Sequence, residues 1–146
     1  MEDFKFYHTF PIQIRFTDVD RFGHVNNTIY FTYFDLGKIE YFASACPVMD
    51  LRKDGVVVVH IETDFLSQIL ANDRIAVQTA VSEIGNKSLI LIQQIIDTTI
   101  NEIKCTCKSI LVAFDLERKE AKEVPEEWKE AIYRYEVNNC IKKSKK

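Results

Sequence analysis

The chain has 146 residues, 47% of them hydrophobic and 28% charged, with a net charge of -3. That length suits one domain with a real core, and that balance is typical of a soluble globular protein. The negative charge argues against a broadly basic nucleic-acid surface, and no apolar run is long enough to span a bilayer.

The chain opens Met1-Glu2-Asp3, without the basic-then-apolar pattern of a secretory leader. A cytoplasmic location is therefore expected, with no nucleic-acid and no membrane partner. Four cysteines, Cys46, Cys105, Cys107 and Cys140, are expected as free thiols. Cys105 and Cys107 lack the spacing of redox or zinc sites, so no metal and no cofactor are expected.

The alternating run Ile12-Gln13-Ile14-Arg15-Phe16 predicts a first strand. A polar cluster follows, from Asp18 to Tyr30, with two acids, a histidine, two asparagines and a glycine. Next, roughly Thr28 to Cys46 predicts a long, mostly buried helix, because apolar residues fall on most sides. Its polar positions, Thr32, Asp35 and Lys38, recur every three residues as a narrow stripe. Asn26 or Asn27 is expected to cap it, and Pro47 closes it. Gly37, mid-helix, points to a close approach by a neighbouring backbone.

Strands are then predicted over Val56 to Phe65, Arg74 to Ile84, Ser88 to Ile96 and Glu102 to Phe114. The last three follow each other through short connections such as Gly85-Asn86-Lys87, which implies an antiparallel meander. A final helix is expected from Pro125 to about residue 140, packing through Trp128, Ala131, Ile132 and Tyr135. A solvated basic tail, 141–146, ends the chain. No linker or repeat divides residues 1–146, so a single domain is expected. The natural α+β solution is one antiparallel sheet wrapped around one long helix.

The polar cluster therefore sits on a strand-to-helix junction. Backbone N–H groups and the positive end of the helix dipole point there. A carboxylate at such a junction can act as base or nucleophile beside an oxyanion site. The same residues also suit a plain polar loop that turns the chain and caps the helix. Outside the cluster, His60 is expected as a partly buried structural histidine within an apolar strand. Asp35 is expected at solvent or a subunit contact, and His8 has no supporting context.

Arg15-Phe16-Thr17-Asp18-Val19-Asp20, then Gly23-His24-Val25-Asn26-Asn27 and Tyr30, resemble the hotdog-fold thioesterases of the 4-hydroxybenzoyl-CoA and acyl-CoA thioesterase family. Asp64-Phe65, Asp73, Gly85-Asn86-Lys87-Ser88 and Val124-Pro125-Glu126-Glu127-Trp128 support the likeness, which runs from about Phe10 to Ile132. The resemblance implies an acyl-CoA thioesterase that yields free acid and CoA. It implies Asp20 as nucleophile or general base and the Asn27 N–H as oxyanion donor, with His24 in support. It further implies Gly23, Asn26, Tyr30, Arg74, Lys87 and Ser88 near the substrate. An intersubunit site in a homo-oligomer, a dimer or a tetramer, is implied as well. Plant acyl-carrier-protein thioesterases share the glycine-histidine pattern but use an asparagine where this chain has Phe22, so their asparagine–histidine mechanism does not carry over. The alternatives are a thioesterase acting on acyl carrier protein, which should show a basic docking patch, and a non-catalytic acyl-CoA binding module, which would not need Asp20. Tyr30, Phe31, Tyr33 and Phe34 suit either an aryl or a fatty acyl group.

Overall fold

The computed structural model describes residues 4–139 and 141–143. In chain order they form β1 (His8–Ile12), a 3-10 turn (Phe16–Asp18), α1 (Asn27–Ala45), β2 (Asp54–Phe65), β3 (Ile75–Ile84), β4 (Ser88–Asp97), β5 (Glu102–Asp115), β6 (Glu120–Ala121), α2 (Glu126–Tyr135) and β7 (Lys142–Lys143). The main sheet runs β1-β3-β4-β5-β2. Each neighbouring pair in it is antiparallel. This is the expected α+β arrangement, and no helix among the described residues is long and apolar enough to cross a membrane.

The first strand lies earlier than predicted, at His8–Ile12 rather than Ile12–Phe16. It is an edge strand, where Pro11 can sit without breaking an interior ladder. The residues after it are drawn into the 3-10 turn because the Asp18 carboxylate accepts the Arg15 N–H at 3.0 Å. Phe16, expected in the strand, is left 96% exposed.

α1 lies along one face of the sheet and buries Tyr30, Tyr33, Phe34, Gly37, Tyr41, Phe42 and Ala45. These recur at three- and four-residue steps, so one stripe faces the sheet. The helix is less completely buried than the sequence implies, since Leu36 and Ile39 are exposed. Gly37 is explained by a side chain rather than a backbone: a Cβ there would lie 2.5 Å from Val77 Cγ1. Residue 37 must be small for the helix to sit this close to β3.

The core divides into two apolar clusters. One joins Tyr30, Tyr33 and Phe34 to Ile69, Val77 and Ile95. The other joins Tyr41 and Phe42 to Val81, Leu91, Leu111, Trp128 and Ile132. Between them a polar row crosses the covered face of the sheet. Thr79 pairs with Gln93, Gln93 with Cys107 and Cys107 with Thr63. Gln93 Nε2 donates to Phe34 O at 2.9 Å and to Thr79 Oγ1 at 3.1 Å. The helix thus rests on a hydrogen bond at its middle and on apolar packing at both sides of it.

His60 is not partly buried. It faces away from α1, exposed, with Nε2 3.0 Å from Glu62 Oε1. The alternation of β2 puts Ile61 and Thr63, not His60, opposite the inward Ser109 and Cys107. Cys46, Cys105 and Cys107 are buried free thiols, and burial pushes Cys105 up to about 12. Cys140 lies outside the described residues. Against the expectation of a frayed tail, Lys142 and Lys143 pair in parallel with Glu83 and Ile84. The Lys143 ammonium also sits 5.7 Å from the centre of the Tyr133 ring.

α2 begins after Pro125 and ends at Tyr135, earlier than the predicted residue 140. What stops it is the next side chain. Glu136 is buried and accepts hydrogen bonds from Tyr41 Oη at 2.5 Å, Asn139 Nδ2 at 2.8 Å and the Val81 N–H at 3.2 Å. The β3–β4 register shifts between Val81 and Glu83. Burial raises the Glu136 pKa above its ordinary 4.5, and the three donors offset this only in part. The folded state therefore holds this proton more tightly than the unfolded chain. Its contribution to stability is present below the ordinary value and is lost as pH rises through the raised one. Urea unfolding followed from about pH 4.5 upward should show stability falling as pH rises, and Glu136→Gln should flatten this part of the profile.

Candidate active site

The polar cluster folds into a tight loop between the 3-10 turn and α1. Val19 and Val25 bridge in antiparallel fashion. Inside that bridge the Asp20 N–H donates to His24 O at 2.8 Å and the Gly23 N–H to Asp20 O at 3.0 Å. Gly23 has φ of +82°, a conformation that glycine adopts without strain.

The two acids of the cluster have opposite surroundings. Asp18 is 1% exposed. Its carboxylate accepts from the Arg15 backbone, from the Arg15 guanidinium at 3.1 Å and from Tyr33 Oη at 2.7 Å. Burial alone would raise its pKa, but these hydrogen bonds and the Arg15 charge outweigh burial and hold it below the ordinary value. Asp20 is exposed. Its Oδ1 accepts the N–H groups of Phe22 at 2.9 Å and His24 at 3.2 Å. Its Oδ2 has no partner among the described residues, and Asp20 lines a cavity of about 450 Å³ together with Arg15, Phe16, Arg21 and Ala71. A carboxylate fixed by one oxygen and open at the other is suited to attack a carbonyl or to take a proton from water.

The helix start lies just beyond. Asn26 caps α1, its Oδ1 accepting from the Thr28 N–H at 3.0 Å and from Thr28 Oγ1 at 2.9 Å. The Asn27 N–H, the first of the helix, has no partner among the described residues. Such a group stabilises negative charge that develops on an oxygen.

A second loop, between β2 and β3, braces the first. The Val25 N–H donates to Ile69 O at 2.8 Å and the Ala71 N–H to Gly23 O at 3.2 Å. Tyr30 Oη accepts the Ile69 N–H at 3.1 Å. Asp73 Oδ2 accepts the Leu70 N–H at 2.8 Å. The almost fully buried Lys104 ammonium lies 2.7 Å from Glu102 and 3.7 Å from Asp73.

Asp20, Gly23, His24, Asn26, Asn27 and Tyr30 thus share one small region, and Arg74 stands at the base of the bracing loop. Three of them hold the loop rather than face a cleft. Tyr30 is 1% exposed, Asn26 is the cap, and the Gly23 carbonyl is taken by Ala71. The His24 backbone holds Asp20 through its N–H and C=O, and its ring has no hydrogen bond among the described residues. Lys87 and Ser88 lie at the other end of β3, about 30 Å away by strand rise, so one subunit does not bring them to Asp20. Lys104 and Tyr33 are structural members of the site that the sequence did not disclose. Lys104 sits in an alternating strand pattern that assigns it to solvent, and only the bracing loop buries it.

A larger cavity, about 680 Å³, is not where Asp20 sits. It lies beside the second half of α1, lined by Ile39, Phe42, Met49, Val56 and Leu116 among others. The candidate site is placed at the smaller one because the Asp20 carboxylate lines it.

A sheet wound around one long helix defines the hotdog fold. The sequence model of the thioesterase-like superfamily matches residues 14–132, and the chain belongs to that family. A thioesterase from Thermus thermophilus, solved with coenzyme A and zinc, superposes with a TM-score of 0.80 at 28% identity, covering 92% of this chain and 98% of that one. A predicted thioesterase from Bacillus stearothermophilus gives 0.77 at 23% identity, over 88% and 95% of the two chains. The protein YsmA of Bacillus subtilis (strain 168) is 30% identical over 88 residues, 60% of this chain. The chain spans 58% of the length of that curated relative.

Asp18 should matter for stability more than a polar loop residue normally does. Asp18→Asn keeps its size but turns one acceptor into a donor facing Arg15 and Tyr33. A loss of about 2 kcal/mol in urea unfolding at neutral pH is expected. In the native protein the depressed pKa makes this contribution present above the ordinary carboxylate value and lost as pH falls through the folded one.

Proposed function

We propose that the protein hydrolyses acyl-CoA thioesters to the free acid and CoA. The observation that carries this reading is the pairing of a half-fixed, half-open Asp20 carboxylate with the Asn27 N–H at the start of α1, unpartnered among the described residues. Family membership and the coenzyme A bound by the Thermus relative support it. In this mechanism Asp20 either attacks the thioester carbonyl carbon or takes a proton from the water that does so. The carbonyl oxygen gains negative charge, which the Asn27 N–H stabilises; loss of one such donor costs about 3 kcal/mol of barrier in other enzymes. The carbon–sulfur bond then breaks and CoA leaves as thiol after protonation. Where Asp20 attacks, water cleaves the resulting anhydride and regenerates the carboxylate. Arg15 and Arg21, which line the same cavity, offer positive charge to the anionic CoA.

Asp20→Asn should leave the fold intact, because the side chain is exposed and its backbone carries the loop pairing. Thiol release from the best acyl-CoA in a panel of short, long and aromatic chains should fall by at least about a hundredfold. Wild-type turnover in the folded variant would remove Asp20 from the mechanism.

We further infer that the site is completed by a second copy of the chain. Among the described residues β2 pairs only with β5, so one edge of this 12-residue strand is open. Val58, Val59, Ile61 and Phe65 are exposed along it. A long, apolar, unpaired edge is a liability unless something covers it. A two-fold axis normal to the sheet would pair β2 with its own copy in antiparallel fashion and bring the start of the partner's β2 beside Phe65 and the start of α1. Sedimentation at micromolar concentration should show a dimer or tetramer. A stable monomer with full activity would exclude an intersubunit site.

A further inference from the structure

A third cavity, of about 290 Å³, opens on the side of α1 that faces β2. Phe31, Val58 and Ile61 form its apolar wall, and Phe31 lies edge-on to Phe65 near the helix start, with ring centres 6.4 Å apart. Its floor is the polar row between the two apolar clusters. Lys38, Gln93 and Ser109 converge there.

These polar groups are incompletely satisfied. Ser109 is 4% exposed, and its hydroxyl has no hydrogen-bond partner among the described residues. Gln93 is 3% exposed. Its Nε2 donates to the Phe34 carbonyl, which can only accept, and this fixes the amide orientation. Gln93 Oε1 is left as an acceptor without a partner among the described residues. The Lys38 side chain is 17% exposed, and its one ion pair among the described residues is with the exposed Asp35 at 3.3 Å. Among the described residues only Tyr7 Oη and His8 Nδ1 are fully buried side-chain polar atoms without a partner, so the Ser109 hydroxyl and Gln93 Oε1 are open to the cavity, where a polar group can meet them.

The chemistry of the floor selects among occupants. Lys38 only donates, Gln93 Oε1 only accepts, and Ser109 does either. A carboxylate would meet Lys38 but be repelled by Asp35 and by Gln93 Oε1. A hydroxyl satisfies all of them, accepting from Lys38 and donating to Gln93 or Ser109. The distance is set by the helix. Phe34 follows Asn27 by seven residues, about 10 Å along the axis, and the Lys38 side chain leans back toward the same level. An extended eight-carbon acyl chain covers about that span.

We propose that Lys38, Gln93 and Ser109 are specificity-determining residues that read a hydroxyl carried on the acyl group about 10 Å from the thioester carbonyl. This rests on the thioesterase reading and narrows it to a hydroxylated acyl class.

The test compares 8-hydroxyoctanoyl-CoA with octanoyl-CoA by thiol release, and 8-hydroxyoctanoic acid with octanoic acid by calorimetry. The wild type should favour the hydroxylated member by at least about tenfold in kcat/KM, the worth of one well-made hydrogen bond. Ser109→Ala and Lys38→Met, each checked for a native melting transition, should bring that ratio close to one. Equal use of both substrates by the wild type, or a ratio unchanged in the two variants, overturns the proposal while leaving the thioesterase reading in place. Thiol release from no acyl-CoA at all would instead overturn the thioesterase reading. The calorimetric preference, and its loss in Ser109→Ala, would then decide the pocket alone.

Discussion

Three tyrosine hydroxyls on α1 organise this molecule. A buried phenol must keep a hydrogen-bond partner, so each one obliges another segment to come to the helix. Tyr30 draws in the loop between β2 and β3 through the Ile69 N–H, Tyr33 draws in the polar loop before α1 through Asp18, and Tyr41 draws in the end of α2 through Glu136. Gly37 lets the same helix sit close enough to β3 for these reaches to be made. The hydrophobic face of α1 supplies most of the favourable free energy of docking, but apolar contact is not directional. The phenols supply the direction, and they fix which segments meet at which turn of the helix.

The spacing of the two acids follows from this. Val19 is extended, with φ of -101° and ψ of 133°. Side chains on either side of an extended residue point to opposite faces from it, but the loop that closes at Gly23 turns the chain beyond Val19, so the second acid leaves the inward face that the first occupies. Asp18 points inward to Tyr33, and Asp20 points outward. One carboxylate is consumed as an anchor, and the next but one is presented to solvent with its Oδ1 already held by two backbone N–H groups. Asp18 is buried and Asp20 is not, so the two carboxylates differ in environment despite sharing a loop.

Much of this was legible in the sequence. The order of elements, the meander and the long helix follow from periodicity and from few, well-placed glycines and prolines. The candidate loop stood out as a polar island at a strand-to-helix junction. The failures have physical causes. The strand predicted at Ile12–Phe16 has the right alternation, but the Asp18 carboxylate captures the Arg15 N–H and turns the chain before a ladder can form. His60 lies in an apolar run that reads as buried, whereas β2 is an edge strand with one face open. The resemblance puts Tyr30 near the substrate, and only the position of Ile69 shows that its hydroxyl is already engaged. Lys104 and Ser109 sit in one strand, and nothing local distinguishes a lysine buried by a distant loop from one in water.

The polar row beneath α1 is the feature least expected from composition. A helix resting on a sheet would be more simply stabilised by an unbroken apolar interface, and Thr79 and Gln93 interrupt it at its centre. The Gln93 bond to Phe34 O reaches a helix carbonyl that is able to accept a second donor, so it adds no demand on the helix ladder. It does mark a position along α1, since a slide of a fraction of a turn would break it, and a slide of a whole turn, which would bring up another carbonyl, would move Gly37 off Val77. Purely apolar clusters on either side would tolerate such a slide far better. The row therefore gives the helix a fixed position relative to the sheet. That position sets the distance from the Asn27 N–H to the cavity floor, so the same bond that locates the helix also fixes where polar atoms stand beneath it.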